Sequence, residues 1–226
     1  MFSHKPVIRG AHVVLRPFRQ EDIPSLWAML HEPECMRLTG SRSSFTRESV
    51  DAWYSSRGAV SERLDLAVAD ATTDECQGEV VLNNLSEVNR ACGFRICLTG
   101  PHAFGRGLGT EATRLMLRHA FETVGMHRVE LEVYDFNPRA RRVYEKAGFV
   151  IEGVRRQSLL WEGAWHDTLV MAVLAPEWAV HRGTPGGLSA AAGLDPTSNP
   201  AALPHPTTAT DRRAPSRPRT PAASGR

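Results

Sequence analysis

The sequence has no long hydrophobic run. Its apolar segments stay well short of the roughly 18 residues that a membrane-spanning helix needs. The opening stretch MFSHKPVIRGAHVV also lacks the apolar core of a secretory signal peptide. We therefore expect no membrane as a partner and a cytoplasmic location.

Cysteine is scarce and shows no pattern. The chain has four cysteines and no CxxC pair, and its nine histidines show no spacing typical of metal ligands. Disulfide frameworks and zinc sites depend on such patterns, so we expect a reduced protein with no bound metal. The cysteines are Cys35, Cys76, Cys92 and Cys97.

Charge is nearly balanced in total but is unevenly distributed. The 27 basic and 25 acidic residues leave a net charge of +2. Residues 182–226 hold six arginines against Asp195 and Asp211, with eight prolines and few large apolar side chains. Such a segment cannot bury enough surface to offset its ordering entropy. We therefore predict one domain over residues 1–181 and a disordered Pro/Ala/Arg-rich tail over residues 182–226.

The arginines of that tail leave a tether to nucleic acid or to the ribosome as an alternative. A solvated extension fits the low-complexity composition better. Nucleic acid is therefore not an expected partner.

The remaining chain alternates strand-like and helix-like patterns. Predicted strands cover residues 13–17, 64–70, 78–85, 91–99, 128–134, 149–160 and 165–174, and predicted helices cover 20–30, a segment after Thr46, 110–123 and a short segment after Asn137. In the helix after Thr46, we expect Val50, Trp53 and Tyr54 to face the core. This order predicts a single α/β domain with a mixed sheet.

A glycine-rich loop, FGRGLGTEA at residues 104–112, precedes one of these helices. Glycines before a helix leave its first N–H groups uncovered, and such a site favours an anion, usually a phosphate. The loop has no lysine and is not a Walker A motif. It also has Thr110 where a dinucleotide-binding fingerprint would have its third glycine. A structural turn without a ligand stays open as an alternative.

Three segments in order resemble the GNAT superfamily of acetyl-CoA-dependent N-acetyltransferases: the loop, the strand RVELEVY and the segment NPRARRVYEKAGF. The flanking segments VVLRPFRQED, QGEVVLNN and EGVRRQSLLWEGAWHDTLVMAVLAPEW are similar to the RimJ/RimL branch. The likeness covers about residues 7–180. It implies a mixed, mostly antiparallel central sheet flanked by helices, with a splayed pair of parallel strands that holds acetyl-CoA.

The resemblance also implies which residues bind the acetyl donor. Loop amides would hold the pyrophosphate, the strand before the loop would offer backbone hydrogen bonds, and Asn137 would contact the pantetheine arm or serve only as a helix N-cap. Phe104 departs from the family, which has glutamine or arginine at this position. The expected residues are Ile96, Cys97, Leu98, Phe104, Gly105, Arg106, Gly107, Leu108, Gly109, Thr110 and Asn137.

Two residues are candidates for the chemistry. Tyr144 shares a helix face with Ala140 and Val143, which turns it towards the sheet, and its hydroxyl could protonate the leaving thiolate. The alternative is a core aromatic with a satisfied hydroxyl. Glu132 is similar in spacing to the glutamate of RimI-type enzymes and could accept the amine proton through water, although a solvated or paired carboxylate fits its strand face equally well.

The expected reaction is direct acetyl transfer from acetyl-CoA to a primary amine, without an acyl-enzyme. A protein N-terminal α-amine is the leading acceptor. The alternative is a small amine, such as a polyamine, an amino-sugar antibiotic or an amino acid, and a third interpretation is a non-catalytic acyl-CoA-binding module. An acidic pocket would favour polyamines. Pairing of two copies into a homodimer through their edge strands stays open.

Overall fold

A computed structural model describes residues 2–182 of the chain. The predicted tail lies outside the described residues, apart from Arg182 just after the last helix. Within residues 2–182, no helix is both long enough and apolar enough to cross a bilayer.

Between residues 2 and 182, eight strands form one sheet. They are β1 (Ile8–Arg9), β2 (Val13–Arg16), β3 (Leu64–Asp70), β4 (Cys76–Ser86), β5 (Ala91–Leu98), β6 (Arg128–Tyr134), β7 (Val150–Trp161) and β8 (Ala164–Leu174). Their order is β1-β2-β3-β4-β5-β6-β8-β7, so β1 and β7 are the edges. All neighbours are antiparallel except β5 and β6, which are parallel. The predicted mixed, mostly antiparallel sheet is confirmed.

Six α-helices of the described chain cover this sheet. They are α1 (Ile23–His31), α2 (Pro33–Thr39), α3 (Arg47–Ser56), α4 (Leu108–Arg118), α5 (Pro138–Lys146) and α6 (Ala175–His181). Thr46 caps α3 by accepting a hydrogen bond from the Ser49 amide at 3.2 Å, as its position before the helical pattern predicts.

The sequence patterns missed two helices and misplaced the ends of others. Both α2 and α6 are seven residues long and begin with a proline in the first turn, so neither shows a sustained helical period. The helix expected from residue 20 begins as a 3-10 turn and becomes α-helical only at Ile23. The helix expected to end at residue 123 changes into a π-helical turn over His119–Val124.

The two faces of the sheet carry separate hydrophobic clusters. Side chains of α4, α5 and α6 pack on one face, which we call the first face. Side chains of α1, α2 and α3 pack on the other, which we call the second face. The prediction that Trp53 points inward is wrong, because its side chain is 45% exposed. Its ring instead packs under the Arg57 guanidinium, 3.8 Å from the ring centroid, on the outer side of α3.

The parallel strands β5 and β6 are paired only at their beginnings. Ala91, Cys92 and Gly93 of β5 lie opposite 128–130 of β6. Beyond these residues β5 continues along β4, and β6 continues along β8. A cleft therefore opens between residues 94–98 and 131–134, in agreement with the predicted splayed pair.

Candidate active site

The cleft between the splayed strands leads into a cavity of about 680 Å³. Its walls come from β5, β6, the glycine-rich loop, α5 and the end of α2. A cavity of this size suits a small-molecule ligand or part of a larger one. Sequence reasoning placed the loop and both strands together, and the fold brings them to one site.

Two glycines give the loop its shape. Gly105 has φ +74° and Gly107 has φ +83°, the left-handed region that other residues adopt at a cost. A Cβ on either would meet no described atom within 4 Å, so the backbone angle rather than crowding explains the glycine. Gly107 is the N-cap of α4, and no side chain of the described residues caps that helix. Its first amides are therefore left available to an anion.

The rest of the loop divides between the cavity and the surface. Phe104, Leu108, Gly109 and Thr110 line the cavity together with the two glycines. The Arg106 side chain is directed elsewhere and forms an ion pair with Asp70 of β3 at 3.5 Å. The Arg106 guanidinium is thus paired with a carboxylate at the end of β3, and Arg106 does not line the cavity.

A different arginine stands beside Phe104. The Arg139 guanidinium of α5 lies 4.0 Å from the centroid of the Phe104 ring, and both residues line the cavity. A cation over an aromatic ring is attracted by the negative ring face. Sequence reasoning missed Arg139. The available signal was Phe104 itself, because an aromatic ring where the family has glutamine or arginine can attract a cation from another element.

Residues Ile96, Cys97 and Leu98 belong to the cavity wall contributed by β5. One edge of this stretch pairs with β4, opposite Val80, Glu79 and Gly78. The other edge pairs with no strand among residues 2–182, so its backbone groups face the cleft. The Leu98 carbonyl is already engaged, because the Cys35 thiol of α2 donates to it at 3.2 Å.

Asn137 has a capping role and also borders the cavity. Its Oδ1 accepts a hydrogen bond from the Ala140 amide at 3.1 Å, which fixes the start of α5. The side chain is buried and lines the cavity. Both predicted roles of Asn137 are therefore geometrically compatible.

Tyr144 is buried at the inner wall of the cavity. Its side chain is 7% exposed, and its ring meets Phe94 edge-on with centroids 6.2 Å apart. No hydrogen bond to its hydroxyl is found within residues 2–182. Burial raises the pKa of this hydroxyl, with a smaller contribution from Cys97. The group therefore stays protonated at neutral pH and can donate a proton.

Glu132 lies at the outer rim of the same cavity. Its side chain is 58% exposed and forms an ion pair with Arg155 of β7. Glu130, two residues earlier on the same strand face, pairs with Arg128 at 3.0 Å. The structure thus places Glu132 at the cavity but in a surface ion pair.

The second face of β5 carries a polar network that sequence reasoning missed. Glu79 is 4% exposed and accepts hydrogen bonds from the Tyr54 hydroxyl at 2.9 Å and from the Arg95 guanidinium at 2.6 Å. Arg95 also lines the cavity. Burial, followed by the Glu79 charge, raises the pKa of Tyr54. The available signal was a glutamate directly before the apolar run at residues 80–82 of β4.

Charged side chains in the cavity wall are mostly basic. The six are Arg95, Arg139, Arg142, Lys146, Glu130 and Glu132. Arg95 already pairs with Glu79, and Arg139 pairs with Glu34. Arg142, Lys146 and the open loop amides are therefore the groups best placed for a ligand that carries phosphates. Among residues 2–182, no group of three or more His, Cys, Asp or Glu side chains is placed to hold a metal ion.

Known proteins share this fold and sequence pattern. Residues 12–150 match the family described as Acetyltransferase (GNAT) domain. The Escherichia coli (strain K12) spermidine N(1)-acetyltransferase is 26% identical over 186 residues, 78% of this chain and 94% of that relative. The Bacillus subtilis (strain 168) protein named putative ribosomal N-acetyltransferase YdaF is 33% identical over 101 residues, 45% of this chain and 55% of that relative.

A solved structure shows the same fold. The spermidine N-acetyltransferase from Vibrio cholerae, in complex with CoA and spermine, matches with a TM-score of 0.69 and 21% identity. The match covers 75% of this chain and 99% of that one.

Proposed function

This chain belongs to the GNAT superfamily of acetyl-CoA-dependent N-acetyltransferases, and we propose that its acceptor is the α-amino group of a protein N-terminus, as in the RimJ/RimL branch. The observation that carries this proposal is the charge of the cavity wall. Four basic side chains face two acidic ones there. Both acidic ones have arginine partners, and two of the basic ones, Arg95 and Arg139, have glutamate partners outside the wall. A peptide end brings a single ammonium group and needs no surplus of carboxylates, whereas a polyamine brings several positive charges.

We assign the donor site to the loop and to β5. Acetyl-CoA supplies the acetyl group. The open amides at the start of α4 would hold its pyrophosphate, with Gly107 and Gly109 letting the backbone approach. The free edge of residues 96–98 and the side chain of Asn137 would hold the pantetheine arm.

Two side chains would handle protons. Tyr144, whose hydroxyl is protonated at neutral pH, would donate its proton to the departing thiolate. Glu132 would accept the ammonium proton through water. Glu132→Gln should then lower kcat/KM several-fold, while the matched variant Glu130→Gln should leave it near the wild-type value. Equal effects of the two variants would remove Glu132 from the mechanism.

A small polycationic amine is the second candidate acceptor. The observation in its favour is the match over 94% of the length of a spermidine N(1)-acetyltransferase. The charged groups at the cavity oppose it, because arginine partners already offset the charges of Glu130 and Glu132.

The deciding experiment measures release of free CoA thiol with a panel of acceptors. The panel holds peptides with different N-terminal residues, the same peptides with a blocked N-terminus and an internal lysine, spermidine, aminoglycosides and amino acids. Turnover with free N-termini alone would support the proposal, and a preference for spermidine or another small amine would overturn it. Binding of acetyl-CoA without turnover of any acceptor would favour a non-catalytic module.

A further inference from the structure

Two cysteines meet at the wall of the cavity. Cys35 belongs to α2 and Cys97 to β5, and these two elements pack together. The Cys35 thiol donates to the Leu98 carbonyl at 3.2 Å, and the Cys97 sulfur lies 3.6 Å from the same oxygen. Both residues line the cavity. The two sulfurs are therefore neighbours at a place that a small molecule can reach.

The two thiols also influence each other directly. The neighbouring Cys97 thiol lowers the pKa of Cys35, and the neighbouring Cys35 thiol raises the pKa of Cys97. Cys35 is therefore the thiol that ionises first. Since the thiolate is the reactive form of cysteine, Cys35 is the attacking group of the pair.

The other two cysteines lack these properties. Cys76 and Cys92 do not line the cavity, which distinguishes them from the equally buried Cys35. Burial raises the pKa of each thiol to about 12. They are poor nucleophiles at neutral pH, and they serve as internal controls for the pair.

We propose that Cys35 and Cys97 form a thiol oxidation site, which closes into a disulfide when hydrogen peroxide enters the cavity and acetyl-CoA is absent. The Cys35 thiolate attacks the peroxide oxygen, the O–O bond breaks, and Cys35 becomes a sulfenic acid as one water is formed. The Cys97 sulfur then attacks the Cys35 sulfur, and the second water leaves with the Cys97 proton. In total, two thiols lose two electrons and two protons, and the peroxide is reduced to two waters.

The disulfide would block the transferase site. It ties α2 to the part of β5 whose free edge faces the cleft, and the Cys35 hydrogen bond to Leu98 is lost. An S–S bond also requires the sulfurs to approach to about 2.05 Å. This displaces the β5 backbone at the place where we assign the pantetheine arm. In the reverse sense, a bound donor would fill the cavity and keep peroxide from the thiols.

Peptide mapping tests the cross-link without relying on activity. Trypsin leaves each cysteine in a separate peptide: Cys35 in residues 20–37, Cys97 in 96–106, Cys76 in 64–90 and Cys92 in 91–95. The full chain is treated with hydrogen peroxide, alkylated, digested and analysed by mass spectrometry. We expect peptides 20–37 and 96–106 to be linked, with the loss of two hydrogens, and to separate on reduction. Free thiols throughout, or links that involve Cys76 or Cys92, would overturn the proposal.

Two further experiments separate this inference from the proposed function. Only the predicted effect of the disulfide on catalysis rests on that function. Preincubation with acetyl-CoA should slow cross-linking, and equal rates with and without it would refute entry through the cavity. Peroxide should lower wild-type acetyl transfer by about tenfold or more and reduction should restore it. In Cys35→Ser, the activity after peroxide should stay close to the activity before it. In Cys92→Ala, peroxide should lower the activity as much as in wild type. If no acceptor is turned over, peptide mapping and the protection by acetyl-CoA still test whether Cys35 and Cys97 form a disulfide.

Discussion

Two buried tyrosines lie on opposite faces of the sheet, and their hydroxyl groups differ. Tyr54 of α3, 4% exposed on the second face, donates its hydrogen bond to Glu79. Tyr144 of α5, on the first face, is almost as deeply buried, yet its hydroxyl has no partner within residues 2–182. The Tyr144 oxygen borders the cavity and is not among the fully enclosed, unpartnered polar atoms of the described residues, so a molecule in the cavity can accept its proton.

The comparison separates a stabilising tyrosine from an available one. The Tyr54 hydroxyl completes a network in which Arg95 neutralises Glu79, so its contribution is to the folded state. The Tyr144 hydroxyl lies at the cavity wall with no protein partner among residues 2–182, and we propose that it serves a bound molecule. If this contrast is correct, removing each hydroxyl should change a different measured quantity.

The largest expected effect is that of Tyr144→Phe on turnover. Loss of the proton donor should lower kcat by about a hundredfold. The dissociation constant for acetyl-CoA and the urea midpoint should stay near wild type, because the hydroxyl has no protein partner to lose. Steady-state kinetics and calorimetry measure these quantities, and an unchanged kcat would exclude Tyr144 as the acid.

The next effect in size concerns the loop on the first face. In Gly107→Ala a side chain is forced to a φ of +83°, at a cost of about 1–2 kcal/mol, and the loop amides shift. We expect the dissociation constant for acetyl-CoA to rise by about tenfold.

Gly125→Ala is the matched control for that loop variant. Its φ is +78°, a Cβ there meets no described atom within 4 Å, and it does not line the cavity. It should lose similar stability and bind acetyl-CoA normally. Weakened binding in both variants would mean that instability, not the loop, explains the result.

A smaller effect is expected for Tyr54→Phe, and it should be on stability. Removal of the hydroxyl leaves one oxygen of buried Glu79 without its donor, at a cost of about 1–2 kcal/mol. The ring can keep its edge contact with Phe18, at a centroid distance of 4.8 Å. Urea unfolding should show the loss, while kcat per folded molecule stays close to wild type. A large fall in kcat would mean that the network also serves catalysis.

The smallest expected effect is on the stability of the folded chain at alkaline pH. Burial raises the pKa of both tyrosines, so the unfolded chain loses these protons near pH 10 while the folded chain retains them. Their stabilising contribution is complete below about pH 10 and is lost as the pH rises further. Cys76 and Cys92, with pKa values of about 12, act in the same direction.

Unfolding in urea at pH 8 and pH 11 measures this dependence. Tyr144→Phe should lose less stability between the two pH values than wild type, because one titrating group is gone. An equal loss would mean that the Tyr144 hydroxyl ionises normally in the folded chain.

Much of the fold was predictable because its signals are local. The alternating strand over Arg128–Tyr134 and the cap at Asn137 lie where the sequence indicates. Helix α2 was not predictable in this way, since seven residues complete less than two full helical periods. The outward orientation of Trp53 depends on contacts with Arg57 and with Arg63, from the segment that leads into β3.

The sequence by itself determined the glycine-rich loop and most of the strands and helices, because glycine angles, capping and side-chain alternation act within a few residues, and its spaced motifs indicated the family. Only the tertiary structure decided which groups meet: Arg139 with Phe104, Glu79 with both Tyr54 and Arg95, and Cys35 with Cys97. These partners lie from 16 to 62 positions apart in the chain. Their contacts depend on how whole helices pack on the sheet, and no local spacing encodes that.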